Sequence, residues 1–203
     1  MEQIKEYEYV DLSLPSGLKW AKCNIGAETE TDYGDYFMWG STEPNTTLQC
    51  SWKNAPFNGG SSHYNETYFN SVKDTVCPNG ILAEEYDTAT QIMGSDWRMP
   101  TEAEFQELLD NTDNEWVEDY NGSGVNGRKF TSKTDETKYI FIPAAGLCSN
   151  GSVSDVGDYG LVWSSSLYAS RPDYVWVLYF NSGGCGMYLN IRYYGWSVRG
   201  VMD

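Results

Sequence analysis

Histidine and basic side chains are scarce in this sequence. The chain has 203 residues, of which one is histidine and 13 are lysine or arginine, against 29 acidic residues and a net charge of −16. Binding to nucleic-acid phosphates needs clustered lysine and arginine, so we expect no nucleic-acid partner. The histidine, His63, has no cysteine or histidine companions nearby, so we expect no metal role for it. The acidity is typical of a surface that keeps a protein soluble.

Long apolar runs are also missing. No run approaches the ~18 residues that a membrane-spanning helix needs, and the start, MEQIKEYEYVDLSLPSG, lacks the apolar core of a signal peptide. We therefore expect no membrane insertion and no signal peptide in this chain. The sequence leaves the localisation open: cytosolic, trimmed of a leader, or carried outward on a cell surface or phage particle.

The five cysteines form no CxxC motif, and their number is odd. A zinc ribbon or a CxxC redox pair is therefore disfavoured. Cys23 and Cys185 lie in apolar, strand-like runs and are expected to be buried free thiols. Cys50 and Cys77 bracket a polar stretch and can pair; the sequence leaves this open.

The composition favours a domain rich in strands and turns, and the helices predicted below make the expected fold class α+β. Aromatic residues make up 15% of the chain, and 20 residues are glycine, a combination that disfavours a helical bundle. The length predicts one domain, 1–203. Residues about 41–80 show no hydrophobic period, and we interpret them as a long ordered surface insertion.

Two helices are predicted after this insertion. For the first, an apolar stripe from Leu82 to Met93 recurs at three- and four-residue spacing and ends at Gly94. For the second, Thr101 and Glu104 form a capping box, in which the threonine caps the helix and the glutamate returns a hydrogen bond.

Strands are predicted on both sides of the helices. Residues 7–40 are interpreted as strands, with 33–40 as a buried aromatic strand, and residues 128–131 and 139–142 as a strand pair. Residues 148–160 are polar and glycine-rich and are interpreted as a loop. The segment 160–201 contains no Lys, Glu, Gln or His, and a turn at Asn181–Gly184 divides it into two β-rich runs.

A series of motifs, spread over nearly the whole chain, resembles the motifs of one known family. They are Val10-Asp11-Leu12 with Leu14 to Ala21, Tyr33 to Phe37 with Trp39-Gly40, Trp97 to Thr101, Phe141 to Gly146, Trp163 to Ser166, Leu178 to Phe180, Arg192 to Gly195 and Ser197 to Arg199. The family is a large paralogous group from gut anaerobic bacteria and their phages. The resemblance implies a C-type lectin-like fold, with two helices packed on small antiparallel sheets and long loops.

The same resemblance links the chain to the formylglycine-generating enzyme group, whose RLPTEAEWE motif is similar to residues 98–106. Members of the family also serve as variable proteins of diversity-generating retroelements, in which adenines of a C-terminal repeat are randomised. AAY codons cannot then yield Lys, Glu, Gln, Met or Trp. The residues that are constant in the family surround a set of positions that can be randomised, and randomised AAY codons can encode the residue found at each of them. These positions are Gly184, Gly186, Tyr188, Leu189, Asn190, Ile191, Tyr193 and Tyr194.

Strand alternation gives an independent argument for an outward-facing surface in this segment. Cys185 and Met187 are predicted to face the core, while Gly186 and Tyr188 face solvent. Residues 189–191 are predicted to form a short exposed loop, so that their apolar side chains and nearby aromatics make an interaction patch. The predicted ligand-binding residues are Gly184, Gly186, Tyr188, Leu189, Asn190, Ile191, Tyr193, Tyr194 and Trp196.

A core role is the alternative for these aromatic and apolar residues. For Tyr188, Leu189, Ile191 and Trp196 the sequence favours neither interpretation over the other. A core role is predicted for Trp163, Trp176, Tyr179 and Phe180, because they lie in unbroken apolar runs. Residues predicted to form a buried frame are Trp163, Trp176, Leu178, Phe180, Arg192, Val198 and Arg199.

The favoured function is a ligand-binding module, for receptor binding or adhesion, with an unknown protein or glycan as partner. The alternative is a structural subunit of a surface fibre or phage tail, assembled with a display or fibre protein. A formylglycine-generating-type oxidase is less favoured: Cys148 and Cys185 would have to be its cysteine pair, and the family's NVWEW-like segment is missing. We expect no enzymatic activity, no catalytic residue, no cofactor and no metal.

Overall fold

The structure is a computed structural model that describes residues 6–47 and 49–203. The first five residues of the predicted domain, and Leu48 of the predicted insertion, lie outside the described residues. Within the described ranges, no helix is long and apolar enough to cross a bilayer.

Eleven strands are described, and they form small antiparallel sheets in the orders β1-β2-β11, β3-β4-β5 and β8-β9-β10, with a β6-β7 hairpin. Strands and short helices together give the mixed α+β architecture that the sequence predicts. The strands are β1 (Tyr9–Asp11), β2 (Lys19–Ala21), β3 (Thr112–Val117), β4 (Gly127–Ser132), β5 (Tyr139–Pro143), β6 (Leu147–Ser149), β7 (Ser152–Ser154), β8 (Tyr159–Leu167), β9 (Tyr174–Asn181), β10 (Gly184–Ile191) and β11 (Val201–Met202).

The α-helices described are α1 (Glu66–Val76), α2 (Thr88–Met93) and α3 (Glu102–Asn111), one more than predicted. The additional helix, α1, lies inside the insertion. The Asn65 side chain caps it by accepting a hydrogen bond from the Tyr68 amide at 3.1 Å. Its buried face consists of Phe69 and Val76, so the apolar stripe is narrow.

The first predicted helix is shorter than its apolar stripe. A 3₁₀ turn covers Glu84–Tyr86, and α2 begins only after Asp87. The Asp87 carboxylate accepts hydrogen bonds from the amides of Thr90, at 2.9 Å, and Met99. It therefore caps α2 and ties the helix to the next segment, which interrupts the continuous helix that the spacing suggested. The end at Gly94, with φ of 106°, is as predicted.

The capping box of α3 is confirmed. The Glu104 amide donates to the Thr101 hydroxyl, and the Thr101 amide donates to the Glu104 carboxylate. Arg98 adds two hydrogen bonds to the same carboxylate, at 2.7 and 2.8 Å. Burial opposes ionisation of Glu104, but the hydrogen bonds from Arg98 and Thr101 outweigh it and lower its pKa.

One predicted strand and one predicted loop are corrected. Residues 33–40 are not a regular strand: within the described part of the chain, their backbone forms a single isolated β-bridge, between Phe37 and Trp196. Glycines at both ends adopt positive φ, 75° at Gly34 and 81° at Gly40, which turns the chain away from extended pairing. The predicted loop 148–160 contains the β6-β7 hairpin and the start of β8.

The β8-β9 pair separates two hydrophobic clusters. Trp163 and Val177, paired across the strands, belong to the cluster that also holds Phe37 and Trp39. Their neighbours Val162 and Leu178, also paired, belong to the cluster that holds Trp20 and α3. Successive residues of a strand point to opposite faces, so this two-strand unit is buried on both sides and forms the centre of the fold.

Arg199, predicted to be buried, is fully enclosed. It donates hydrogen bonds to the carbonyls of Ala21 (2.9 Å), Lys22 and Phe141 (3.0 Å) and to the Asn24 side chain (2.9 Å). Burial lowers its pKa to about 10, which leaves the guanidinium charged at neutral pH. The arginine thus joins its own C-terminal segment to β2 and β5 by donating hydrogen bonds to carbonyls of Ala21 and Phe141.

Candidate binding surface

The hairpin of β9 and β10 carries the predicted binding residues. The two strands pair without a bulge from Gly184–Asn181 to Ile191–Tyr174. Cys185 and Met187 pack against the cluster that holds α3. The alternate residues Gly186 and Tyr188 therefore lie on the opposite face, as the strand pattern predicts.

Tyr188 is the most exposed aromatic side chain of this face, at 57%. Its ring reaches diagonally across the hairpin to Tyr179, with centroids 5.2 Å apart in an edge-to-face arrangement. Gly186, directly opposite Tyr179, leaves the space for this contact because it has no side chain. The Tyr179 hydroxyl in turn accepts a hydrogen bond from the Asn181 side chain at 2.7 Å.

Further aromatic rings extend this pair across the surface. Tyr179 lies 5.9 Å from Tyr159 of β8. Among the described residues no ring contact joins Tyr159 to Tyr194, which begins a second group of rings. Tyr194 lies 4.4 Å from Tyr193, and Tyr193 lies 5.1 Å from an indole of the insertion. We call this set the aromatic row: Tyr188, Tyr179, Tyr159, Tyr194, Tyr193 and Trp52. Apart from Tyr188, which is exposed, its members are half-buried.

Two tyrosines of the aromatic row, Tyr159 and Tyr194, are uncharged near neutral pH. Burial, a 2.9 Å hydrogen bond to Asp155 and the neighbouring tyrosines raise the pKa of Tyr159 to about 12. The hydrogen bond with Tyr193, together with burial, raises the pKa of Tyr194 to about 12. These hydroxyls remain protonated, so the surface offers aromatic faces with hydroxyl groups at their edges.

Arg192 holds the end of β10 against the insertion. It is fully buried and donates hydrogen bonds to the carbonyls of Pro172 (3.2 Å), Pro56 and Phe57 (3.2 Å). The guanidinium also lies over the rings of Trp52, Tyr64 and Phe69, at 5.3, 5.5 and 4.6 Å. Desolvation lowers its pKa to about 10, so it stays cationic at neutral pH. The insertion is thereby fixed beside the hairpin, which brings Trp52 into the aromatic row.

The predicted loop 189–191 is wrong. These residues continue β10, and strand alternation places Leu189 and Ile191 on the face of Cys185 and Met187. Both are half-buried and lie opposite Trp176 and Tyr174. They are therefore not on the face of Tyr188, and the single apolar patch expected from the sequence is divided between two faces. Asn190 and Gly184 share the face of Tyr188.

Trp196 is buried, at 2% exposure, so the prediction that it faces outward is wrong. Its backbone exchanges two hydrogen bonds with Phe37, both at 3.0 Å, and its ring packs edge-to-face against Trp163. The chain turns inward after Tyr194, and Trp196 completes the core beneath the aromatic row. Conversely, Trp176 and Tyr179 were predicted to be core and are only half-buried.

The glycines between residues 184 and 195 differ in the space that surrounds them. A Cβ at Gly184 would meet nothing within 4 Å, and one at Gly186 would meet only the Tyr188 ring, at 3.5 Å. A Cβ at Gly195 would lie 2.7 Å from the Cys50 sulfur and 2.8 Å from Cys148 Cβ, which is closer than packing permits. Side chains can thus be added on β10 but not in the turn that follows it.

The cysteines are arranged differently from the possibilities that the sequence left open. Cys50 lies beside Cys148, with sulfurs 3.1 Å apart, rather than beside Cys77. Cys185 belongs to a different cluster from Cys148, which separates the two thiols that an oxidase would have to use together. Cys23 and Cys185 are half-buried rather than fully buried.

Among residues 6–47 and 49–203, no three His, Cys, Asp or Glu side chains are grouped closely enough to hold a metal ion. A cavity of about 490 Å³ lies elsewhere, lined mainly by the β1-β2 region and residues 22–30. Its polar lining includes Glu8, Lys22, Glu28 and Glu30, and it shares no residue with the aromatic row. The candidate site is consequently a surface rather than a cleft.

A family model of the Lcl C-terminal domain matches residues 13–199. The chain belongs to the Lcl C-terminal domain family. This match fits a C-type lectin-like paralogous family, and it suggests a variable surface or binding module. Comparison with curated proteins and with solved structures gave no significant match.

Proposed function

We propose that this chain is a ligand-binding module that contacts a protein or glycan through the aromatic row. The observation that carries the proposal is the exposed Tyr188 ring, braced by Tyr179 on a rigid hairpin. Tyrosine supplies a large contact area with few rotatable bonds, so little conformational entropy is lost on binding. The row ends in Trp52, another residue type that is common at interaction hot spots.

The charge of the chain limits the kinds of ligand that this surface can bind. Residues 184–191 carry no charged side chain, and the chain as a whole has a net charge of −16. Repulsion therefore disfavours nucleic acid and other polyanions. Neutral glycans and the apolar or basic surfaces of proteins remain as ligands, because aromatic rings contact sugar C–H groups, apolar side chains and cations alike.

Variation of this surface is the second part of the proposal. We expect a C-type lectin-like fold, related to the formylglycine-generating enzyme group, in which positions 184, 186 and 188–191 of β10 and residues 193–194 are diversified by a retroelement. The open space around Gly184 supports this, because a Cβ there meets nothing within 4 Å, and one at Gly186 meets only the exposed Tyr188 ring. The exclusion of Trp196 from diversification also fits its buried position, since a core residue must stay constant.

We further propose that the module has no enzymatic activity, catalytic residue, cofactor or metal. The separation of Cys148 from Cys185 supports the absence of an oxidase site. Display on a cell surface or phage particle, by assembly with a fibre or carrier protein, is part of the same proposal. Oxygen uptake with a cysteine-containing peptide as substrate would contradict the non-enzymatic assignment.

Binding is tested with a glycan microarray and a random-peptide display library, probed with the full chain. The Tyr188→Ala, Tyr179→Ala double variant should lose at least tenfold in affinity for the ligands selected, because aromatic anchors dominate such surfaces. Tyr9→Ala is the matched control: Tyr9 is also an exposed strand tyrosine, at 51%, but lies on β1 outside the row. Equal binding by the double variant and the control would refute the site.

Diversification is tested separately in the flanking DNA. A near-identical downstream repeat that differs only at adenines, beside a reverse transcriptase gene, is the expected finding. Its absence would leave a binding module that is not diversified. Size-exclusion chromatography distinguishes a monomeric module from an oligomeric fibre subunit.

A further inference from the structure

Cys50 and Cys148 bring together two distant parts of the chain. Cys50 belongs to the insertion and Cys148 to β6, 98 positions later, yet their sulfurs are 3.1 Å apart and both residues are completely buried. The other three cysteines lie in different surroundings: Cys77 and Cys185 in separate hydrophobic clusters, and Cys23 half-buried beside the acidic cavity. The sulfur pair is therefore a specific arrangement rather than a general clustering of thiols.

Backbone hydrogen bonds hold the two segments together without help from the sulfurs. The Asn150 amide donates to the Cys50 carbonyl at 3.2 Å, and the Gly151 amide donates to the Thr47 carbonyl at 2.8 Å. Cys148 also exchanges hydrogen bonds with Gly195, at 2.8 and 3.0 Å. Because the backbones are fixed, the sulfurs need to move only about 1 Å to reach the length of a disulfide bond.

The two thiols are chemically unequal. The two thiols share a hydrogen bond in which either sulfur can be the donor. This hydrogen bond lowers the pKa of Cys148, and together with burial it raises the pKa of Cys50. While the forming pair is still open to solvent, Cys148 is therefore the readier nucleophile, because thiolates rather than thiols attack disulfides. In the folded chain both sulfurs are completely buried, so the exchange precedes complete folding.

We infer that Cys50 and Cys148 are a disulfide-forming pair, oxidised by exchange with a small disulfide such as oxidised glutathione as the chain folds. The Cys148 thiolate attacks one glutathione sulfur and releases the other glutathione as a thiolate. Cys50 then loses its proton and attacks the Cys148 sulfur, which releases the second glutathione. Two electrons pass from the cysteine pair to oxidised glutathione, and two reduced glutathione molecules result.

This bond would tie the insertion to β6 directly beneath Gly195 and beside Trp52 and Tyr193, which pack on the same cluster. It would therefore fix one end of the aromatic row covalently. The inference does not depend on the proposed function, because formation of the bond is measured without any ligand.

Peptide mapping of the full chain tests the inference. Cleavage before aspartate places each cysteine in its own peptide: Cys50 in 35–73, Cys148 in 135–154, Cys77 in 74–86, Cys23 in 11–31 and Cys185 in 173–202. After refolding with oxidised glutathione, denaturation and alkylation, peptides 35–73 and 135–154 should be linked, and the other three cysteines should be alkylated. Recovery of 35–73 and 135–154 as separate alkylated peptides, or a link from Cys50 to Cys77, would overturn it.

Thermal unfolding gives a second readout. Closing a loop of this length should raise the Tm of the oxidised chain by about 10 °C over the reduced chain. Cys50→Ala and Cys148→Ala should each abolish this difference. Cys77→Ala, which also removes a buried thiol, should retain it. An equal difference in all three variants would contradict the inference, and the peptide map of the unmodified chain decides the matter if a variant does not fold.

Discussion

Strands β9 and β10 are partners in one hairpin, paired residue for residue over eight positions, but they differ in burial. β9 lies between two strands, and Val175, Val177, Leu178 and Phe180 are buried. β10 lies at the edge of the sheet, and every residue in it is half-buried or exposed. The difference indicates that β9 contributes mainly to stability, whereas β10 leaves its side chains accessible, as the proposed binding surface requires.

The largest difference in stability between substitutions in the two strands is expected at one cross-strand pair of residues. Leu178 of β9 and Met187 of β10 face each other, but only Leu178 is fully buried. Leu178→Ala should lower the free energy of unfolding by about 2–5 kcal/mol through lost burial and a residual cavity. Met187→Ala should cost about 1 kcal/mol. Denaturant unfolding measures both, and equal costs would show that the strands do not differ as described.

A smaller contrast is expected between two glycines. Gly195→Ala should destabilise the protein by about 1–3 kcal/mol, because the added methyl group overlaps the sulfurs of Cys50 and Cys148. Gly186→Ala should change stability by about 0.5 kcal/mol or less, since its Cβ meets only the flexible Tyr188 ring at an ordinary distance. Thermal unfolding of both variants tests this. A tolerated Gly195→Ala would mean that the turn after β10 can also vary.

The smallest change in stability is expected for Tyr188→Ala. More than half of this side chain is exposed, so its removal should cost about 0.5 kcal/mol or less, while ligand binding is lost. Denaturant unfolding of Tyr188→Ala beside Tyr9→Ala measures the stability effect. A cost above about 2 kcal/mol would place Tyr188 among the structural residues of the hairpin and remove the contrast with β9.

Local signals predicted local structure well. The capping box of α3 and the β4-β5 pair were predicted correctly, because their determinants lie within a few residues or in adjacent strands. Helix α1 was missed, although Phe69, Val72 and Val76 have helical spacing and Asn65 precedes the helix as its cap. The polar composition of the surrounding insertion concealed this stripe.

The site was only partly predictable, for a different reason. The alternation of β10 indicated that Tyr188 faces outward, but Trp52 and Tyr159 join it through packing between segments that are distant in sequence. Trp196 and Tyr188 look alike in a run of aromatic residues. What separates them is the backbone pairing of Trp196 with Phe37, a contact that spans most of the chain and has no local signature.

Arg192 has a consequence for how the sequence of β10 can change over time. At one end of the strand, the Asn181–Gly184 turn sets the pairing, and at the other end the guanidinium holds the chain to three carbonyls. A strand held at both ends cannot slip by one residue, a shift that would exchange its two faces. Substitutions between these points therefore alter the side chains on the surface while each position keeps its orientation. If the proposed binding function holds, a lineage can vary this surface without first acquiring compensating changes in the fold.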